Sequence, residues 1–200
     1  MKKSLWGSAA SVGAAALLLT TFAGPAQAAP SSLAAANSVV AAGQSQTTTD
    51  EATGLTTTIK LGTPTTVTAA TIKADKGLTT QQKDEILSTQ AVTASNHWSQ
   101  FTTGGSYTQT QNGRFYYNGS RVWVTQTYAG STGSHTCYTS YSVPPWTISG
   151  VSKSDGGSTT SRNLSCRWQV TQPFGIVTSA SMTATLNKSG GISGFGATVG

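Results

Sequence analysis

Arg114-Phe115-Tyr116-Tyr117-Asn118-Gly119-Ser120-Arg121-Val122-Trp123-Val124 is the stretch that decides the fold class. Asn-Gly between two alternating runs is the strongest short-range signal of a β-hairpin, because both central residues of a type I′ turn need positive φ. A two-residue turn would pair Tyr117 with Ser120, Tyr116 with Arg121, Phe115 with Val122 and Arg114 with Trp123. One face of that hairpin carries Phe115, Tyr117, Val122 and Val124, which suits a core. The other carries Arg114, Tyr116, Arg121 and Trp123, with each Arg opposite an aromatic ring. Aromatic rings beside guanidinium groups suit sugar rings and anionic substituents, so these four are the candidate ligand-binding residues. A helix or second sheet lying over the same face would make them structural instead.

Outward from the hairpin the period-two pattern continues. Ser106–Gln111 precedes a second Asn-Gly pair, Asn112-Gly113, read as a further turn or, given the short middle strand Arg114–Tyr117, as a bulge. Ser120–Tyr128 forms the third strand of this group. His135–Val143, Leu164–Thr171 and Ile176–Leu186 alternate cleanly, and Trp146–Val151 and Ile192–Val199 do so more weakly. Short strands separated by turn signals predict a mainly β fold, a small antiparallel sandwich or barrel of about 7–8 strands.

One amphipathic helix is expected before it, over residues 79–97. Thr79 is its N-cap with Gln82 reaching back, and Leu87, Ala91, Ala94 and Trp98 form one stripe. Residues 29–78 are rich in Thr, Ala and Ser and read as a leader or linker, with one short strand where Leu55, Thr57, Ile59 and Leu61 alternate. Residues 1–28 have the layout of a secretory signal. Lys2 and Lys3 precede an apolar run around Leu17, Leu18 and Leu19, and Ala26-Gln27-Ala28 supplies the small residues of a cleavage site. That run is too short to span a bilayer, so a secreted protein without a transmembrane anchor is expected.

The aromatic residues place the core. None falls between Ala29 and His97, whereas eleven fall between Trp98 and Trp146, so residues 98–200 are read as the folded β domain. Cys137 and Cys166 both fall on apolar strand faces and, in an oxidising compartment, are expected to form a disulfide closing this domain.

Charge excludes much chemistry. Residues 98–200 carry six Lys and Arg against Asp155 alone, a net charge of +5. A glycosidase needs two carboxylates, and oxygen-ligand metal sites need several, so neither is expected here. Two His and two paired Cys serve zinc no better. His135 with Asp155 and any serine is a possible triad only arithmetically, with no Gly-x-Ser-x-Gly elbow to support it. No catalytic residue, metal or cofactor is therefore assigned, and no nucleic-acid partner is expected.

The expectation is a secreted, non-catalytic β domain whose basic surface binds an extracellular polymer such as an anionic cell-wall polysaccharide. A secreted protease inhibitor or toxin-like effector is the alternative. Tyr141-Ser142-Val143-Pro144-Pro145-Trp146 would be its rigid loop, or else a crossover between sheets. A hydrolase is the third and weakest reading.

Overall fold

The computed structural model describes residues 39–89, 94–126 and 133–200. The signal segment, Ala91 of the expected helical stripe and Tyr128 lie outside the described residues. In chain order the elements are β1 (Ser45–Thr49), β2 (Thr56–Leu61), β3 (Thr65–Thr66), α1 (Ala69–Ala74), α2 (Thr80–Ser88), β4 (Ala94–Thr103), β5 (Tyr107–Tyr117), β6 (Val122–Thr125), β7 (Thr136–Ser142), β8 (Thr147–Gly157), β9 (Ser161–Thr171), β10 (Val177–Asn187) and β11 (Ile192–Val199). The fold is mainly β, as expected, but it is not a closed barrel. β1–β7 form a seven-stranded antiparallel sheet and β8–β11 a four-stranded one.

The sheets face each other across a shared core. Ile59, Leu61, Trp98, Phe115 and Val124 of the larger sheet pack with Leu164, Ala184, Leu186, Ile192 and Phe195 of the smaller. A second cluster joins Leu55 and Tyr107 to Cys166, Trp168, Val170 and Met182. Buried amides run between the two clusters. Gln111 Nε2 donates to Gln100 Oε1 at 2.7 Å, and Gln100 Nε2 crosses to the other sheet, donating to the Gly196 carbonyl at 3.2 Å. These bonds satisfy both polar groups of the Gln100 amide and the Nε2 of Gln111, as burial of such groups requires.

The alternations read in the sequence fall where expected on β9 and β10. Leu164, Cys166, Trp168 and Val170 face inward, as do Ala180, Met182, Ala184 and Leu186. Cys137 and Cys166 are bonded, which ties β7 of the larger sheet to β9 of the smaller. Four differences from expectation have local physical causes.

Residues 45–66, read as part of a leader, supply three strands. Leu55, Thr57, Ile59 and Leu61 do alternate as expected, and β2 pairs with β4 from Leu61↔Trp98 to Thr56↔Thr103. Its outward side is threonine, a residue equally at home in strands and in low-complexity linkers, which hid the strand.

The helix expected over residues 79–97 is shorter. Thr79 and Gln82 form the capping box, with Gln82 N–H donating to Thr79 Oγ1 at 3.2 Å and Thr79 N–H to Gln82 Oε1 at 2.9 Å, but α2 ends at Ser88. Residues 94–97 open β4, where Asn96, Trp98, Gln100 and Thr102 point into the sandwich. Because three of these four are polar, period two is invisible to a hydrophobicity reading.

Asn112-Gly113 is not a turn, and β5 runs straight through it. Gly113 marks where the partner of β5 changes, from β7 over Tyr107–Asn112 to β6 over Arg114–Tyr117. A Cβ there would lie 3.1 Å from Trp98 Nε1 and 3.3 Å from the Thr125 carbonyl, so glycine serves a close approach.

The Asn118-Gly119 hairpin exists with a four-residue loop. Asn118 Oδ1 accepts the N–H groups of Ser120 and Arg121 at 3.0 and 2.9 Å, and Gly119 has φ 83. The ladder therefore begins at Tyr117↔Val122, with Tyr116↔Trp123, Phe115↔Val124 and Arg114↔Thr125. A shift of two residues preserves the faces, so Phe115, Tyr117, Val122 and Val124 still pack inward.

Since Cys137 and Cys166 are 29 residues apart, replacing both with Ala should lower stability by about 3–4 kcal/mol on the chain-entropy argument. Urea unfolding measures this, and an unchanged midpoint would show that the inter-sheet bridge is dispensable.

Candidate functional site

The face expected to bind ligand is a covered face. α1 and α2 lie over it, and Ile72, Leu78 and Ile86 form a third apolar cluster with Tyr116 and Trp123, which are 0 % and 5 % exposed. Neither ring can stack on a sugar. Beneath the helices Asp75 is buried and closes a polar hub. Its Oδ2 accepts the Tyr116 hydroxyl at 2.5 Å, and its Oδ1 accepts the Thr125 hydroxyl at 3.0 Å and the Gly77 N–H at 2.8 Å. Burial, followed by the adjoining Asp75 carboxylate, raises the Tyr116 phenol well above its ordinary range, so it stays a donor. The two arginines are also committed. Arg121 pairs with Glu85 at 3.2 Å, and Trp123 Nε1 donates to the same Glu85 oxygen at 3.1 Å. That bond from Trp123 is the largest cause holding the Glu85 carboxyl below its usual range. Arg114 Nη2 donates to His97 Nε2 at 3.0 Å. Burial, and then the Arg114 charge, lowers His97.

The assignment of Arg114, Tyr116, Arg121 and Trp123 as a ligand platform is thus corrected. Amphipathic helices α1 and α2 need an apolar seat, and these aromatics provide it. Asp75 gave a weak sequence signal in Asp75-Lys76-Gly77, where an aspartate two residues before a glycine favours an Asx turn.

His135 and Asp155 do not meet in a triad. The His135 ring is fully buried beside Trp98 with ring centroids 6.2 Å apart. Its Nε2 lies 3.2 Å from the Ser165 carbonyl, which can only accept, so that nitrogen carries the proton and Nδ1 accepts from Ser134 Oγ at 3.0 Å. Asp155 is bound by Arg162 instead, at 2.6 Å. Among the described residues no group of three or more His, Cys, Asp or Glu is placed to hold a metal. No helix among them is long and apolar enough to cross a membrane. The Tyr141–Trp146 segment is a crossover from β7 to β8, closed into a tight turn by Trp146 N–H donating to the Val143 carbonyl at 3.0 Å.

A broad concavity lies on the outward face of the four-stranded sheet, on the side of the sandwich away from the helices. It is a cleft of about 630 Å³. Arg167 and Gln169 of β9 rise on one side, and Ser179, Ser181, Thr198 and Gly200 form its floor. The ladder sets Arg167 and Thr198 on either side of Ser181, with Gln169 opposite Ser179. Short side chains on β10 and β11 beside long ones on β9 make the surface concave. On the far side β8 slips register between Ser149 and Ser152, and Gly150 at φ 59 lines the cleft there. Ser181 and Thr198 hydroxyls bond each other at 2.9 Å, which leaves further donor and acceptor capacity facing outward.

Arg167 is exposed and, unlike Arg114, Arg121 and Arg162, has no acidic or histidine partner among the described residues. No charged residue occurs from Trp168 to Asn187 or from Ser189 to Gly200, so nothing on β10 or β11 neutralises it. Comparison with family models, curated proteins and solved structures gives no match in any of the three, so the meaning of this cleft rests on its own geometry.

Asp75→Ala should destabilise the protein by about 2–4 kcal/mol, because the Tyr116 and Thr125 hydroxyls would be buried without their acceptor. A loss below that of an exposed ion pair, read by urea unfolding, would contradict the hub. Burial pushes His135 down to about 4, with Lys153 adding to the effect and the Ser165 carbonyl and Asp155 opposing it. The unfolded chain, with His near its ordinary ~6.5, therefore binds the proton first. Stability should be full above that value and fall by about 3 kcal/mol as pH drops from ~6.5 to ~4. His135→Gln should flatten that slope, and a wild-type stability independent of pH across this window would contradict the buried neutral ring.

Proposed function

We propose that this is a secreted, non-catalytic β sandwich that binds an anionic polysaccharide of the cell-wall type in the cleft on its four-stranded sheet. The observation that carries the reading is Arg167, a guanidinium with no acidic side-chain partner among the described residues, beside amide and hydroxyl groups in this cleft. A guanidinium fork suits carboxylate, phosphate or sulfate substituents. The Gln169 amide and the hydroxyls of Ser179, Ser181 and Thr198 suit sugar hydroxyls, which both donate and accept. No acidic or histidine side chain lines the cleft, so no bond is made or broken there in this account, and affinity comes from charge and hydrogen bonding. Export is supported by the layout of residues 1–28 and is compatible with the Cys137–Cys166 bridge.

Arg167→Ala should weaken retention on a purified anionic wall polysaccharide about tenfold or more, the scale of a lost charge-assisted hydrogen bond. Arg121→Ala, which removes an exposed ion pair on the helix side, should leave retention unchanged. Added salt should weaken wild-type retention and have little effect on the Arg167 variant. Equal retention of the wild type and a folded Arg167→Ala protein would reject the assignment.

A further inference from the structure

Among the described residues, α1 and α2 cover the outward face of the seven-stranded sheet only around Tyr116 and Trp123. No described helix packs on its other half, whose composition is unusual. The ladder aligns Thr47, Thr58, Phe101, Thr110 and Tyr138 in one row across five strands. The next row is Thr49, Thr56, Thr103, Thr108 and Tyr141. Neither row contains an acid or a base. Lys60 stands in the row on the other side of the first and lies 5.5 Å from the Phe101 ring centroid. Tyr138 and Tyr141 are 39 % and 53 % exposed.

We propose that this half-sheet is a second binding surface, for a neutral extended polysaccharide such as a β-linked glucan or chitin-like chain. Phe101 and Tyr138 flank Thr110, so their rings stand two strands apart, roughly 10 Å from the spacing of paired strands. That distance is comparable with one disaccharide in an extended chain, so successive rings could stack on alternate sugars. The threonines pair across strands, Thr47 with Thr58 at 2.8 Å and Thr49 with Thr56 at 3.1 Å. Each such pair uses one donor internally and leaves one donor and spare lone pairs, the mixed capacity that sugar hydroxyls complement. Charge selects the occupant. An anionic polymer or lipid surface would find one lysine there, and a hydrocarbon layer would have to bury a field of hydroxyls. The surface is independent of the Arg167 cleft, which lies on the opposite side of the sandwich, and together they would let one molecule bridge two polymers.

The test is co-sedimentation of the full secreted chain with microcrystalline cellulose and with chitin. The wild type should sediment with at least one, insensitively to added salt. Tyr138→Ala with Tyr141→Ala should lower the bound fraction about tenfold, whereas the Tyr138→Phe, Tyr141→Phe protein, which keeps both rings, should bind like the wild type. Arg167→Ala should leave this binding intact even where it abolishes retention on anionic polymer, which separates the two surfaces. Failure of the wild type to sediment with either neutral polymer would overturn the proposal. So would undiminished binding by a folded double-alanine variant, or loss of neutral binding in Arg167→Ala.

Discussion

The Asp75 carboxylate, closed between the helices and the sheet, is the contact on which the layout of this molecule turns. An ionisable group taken out of water is costly unless its lone pairs are filled, and here three donors fill them: a backbone N–H, a threonine hydroxyl and a tyrosine hydroxyl. Those donors come from the connection to α2, from β6 and from β5, so one residue joins the helical layer to both strands of the central hairpin. The fit is close. A Cβ at Gly77 would sit 1.8 Å from Thr125 Oγ1, so only glycine admits this approach. With that seat made, Ile72, Leu78 and Ile86 exclude water from Tyr116 and Trp123.

The arrangement has a consequence for charge. The helical segment brings Glu85 against Arg121, and Asp155 engages Arg162, so these two acids are spent on arginines of the helix-covered side and of the β8–β9 edge. The two outward sheet faces are left with very different remnants. The smaller sheet keeps one guanidinium over a hydroxyl-bearing hollow, and the larger keeps a field of threonine and aromatic side chains with Lys60 at its border. The exposed lysines Lys60, Lys73, Lys76, Lys153 and Lys188 lie outside the Arg167 cleft. Affinity for a polymer would depend on a few well-placed groups rather than on a diffuse basic surface.

Much of the fold was legible in the sequence because its alternation is apolar. β9 and β10 announce themselves through Leu164, Cys166, Trp168 and Val170 and through Ala180, Met182, Ala184 and Leu186, and the disulfide follows from the same faces. β4 did not, because Asn96, Gln100 and Thr102 are buried polar residues, and the partners of Gln100 and Thr102 are supplied by tertiary contacts that no local pattern encodes. Gly113 misled for a related reason: a glycine beside asparagine reads as a turn, whereas here it makes room for Trp98. The hairpin faces were read correctly and their use was not. Two faces of one strand look alike in sequence when both are aromatic, and what lies above each is decided by residues 69–88, whose docking depends on Asp75. The Arg167 cleft was illegible because its floor consists of small residues, whose significance lies in the volume they leave empty.

The central claim is that ligand is met on the open sheet face bearing Arg167 and not on the hairpin face beneath the helices. Amide chemical shifts followed by NMR during titration with soluble fragments of an anionic wall polysaccharide test it most directly. The account predicts saturable shifts at Arg167, Gln169, Ser179, Ser181 and Thr198, with Tyr116, Arg121 and Trp123 unmoved. Saturable shifts confined to the hairpin and α2, or none at all on the four-stranded sheet, would contradict it.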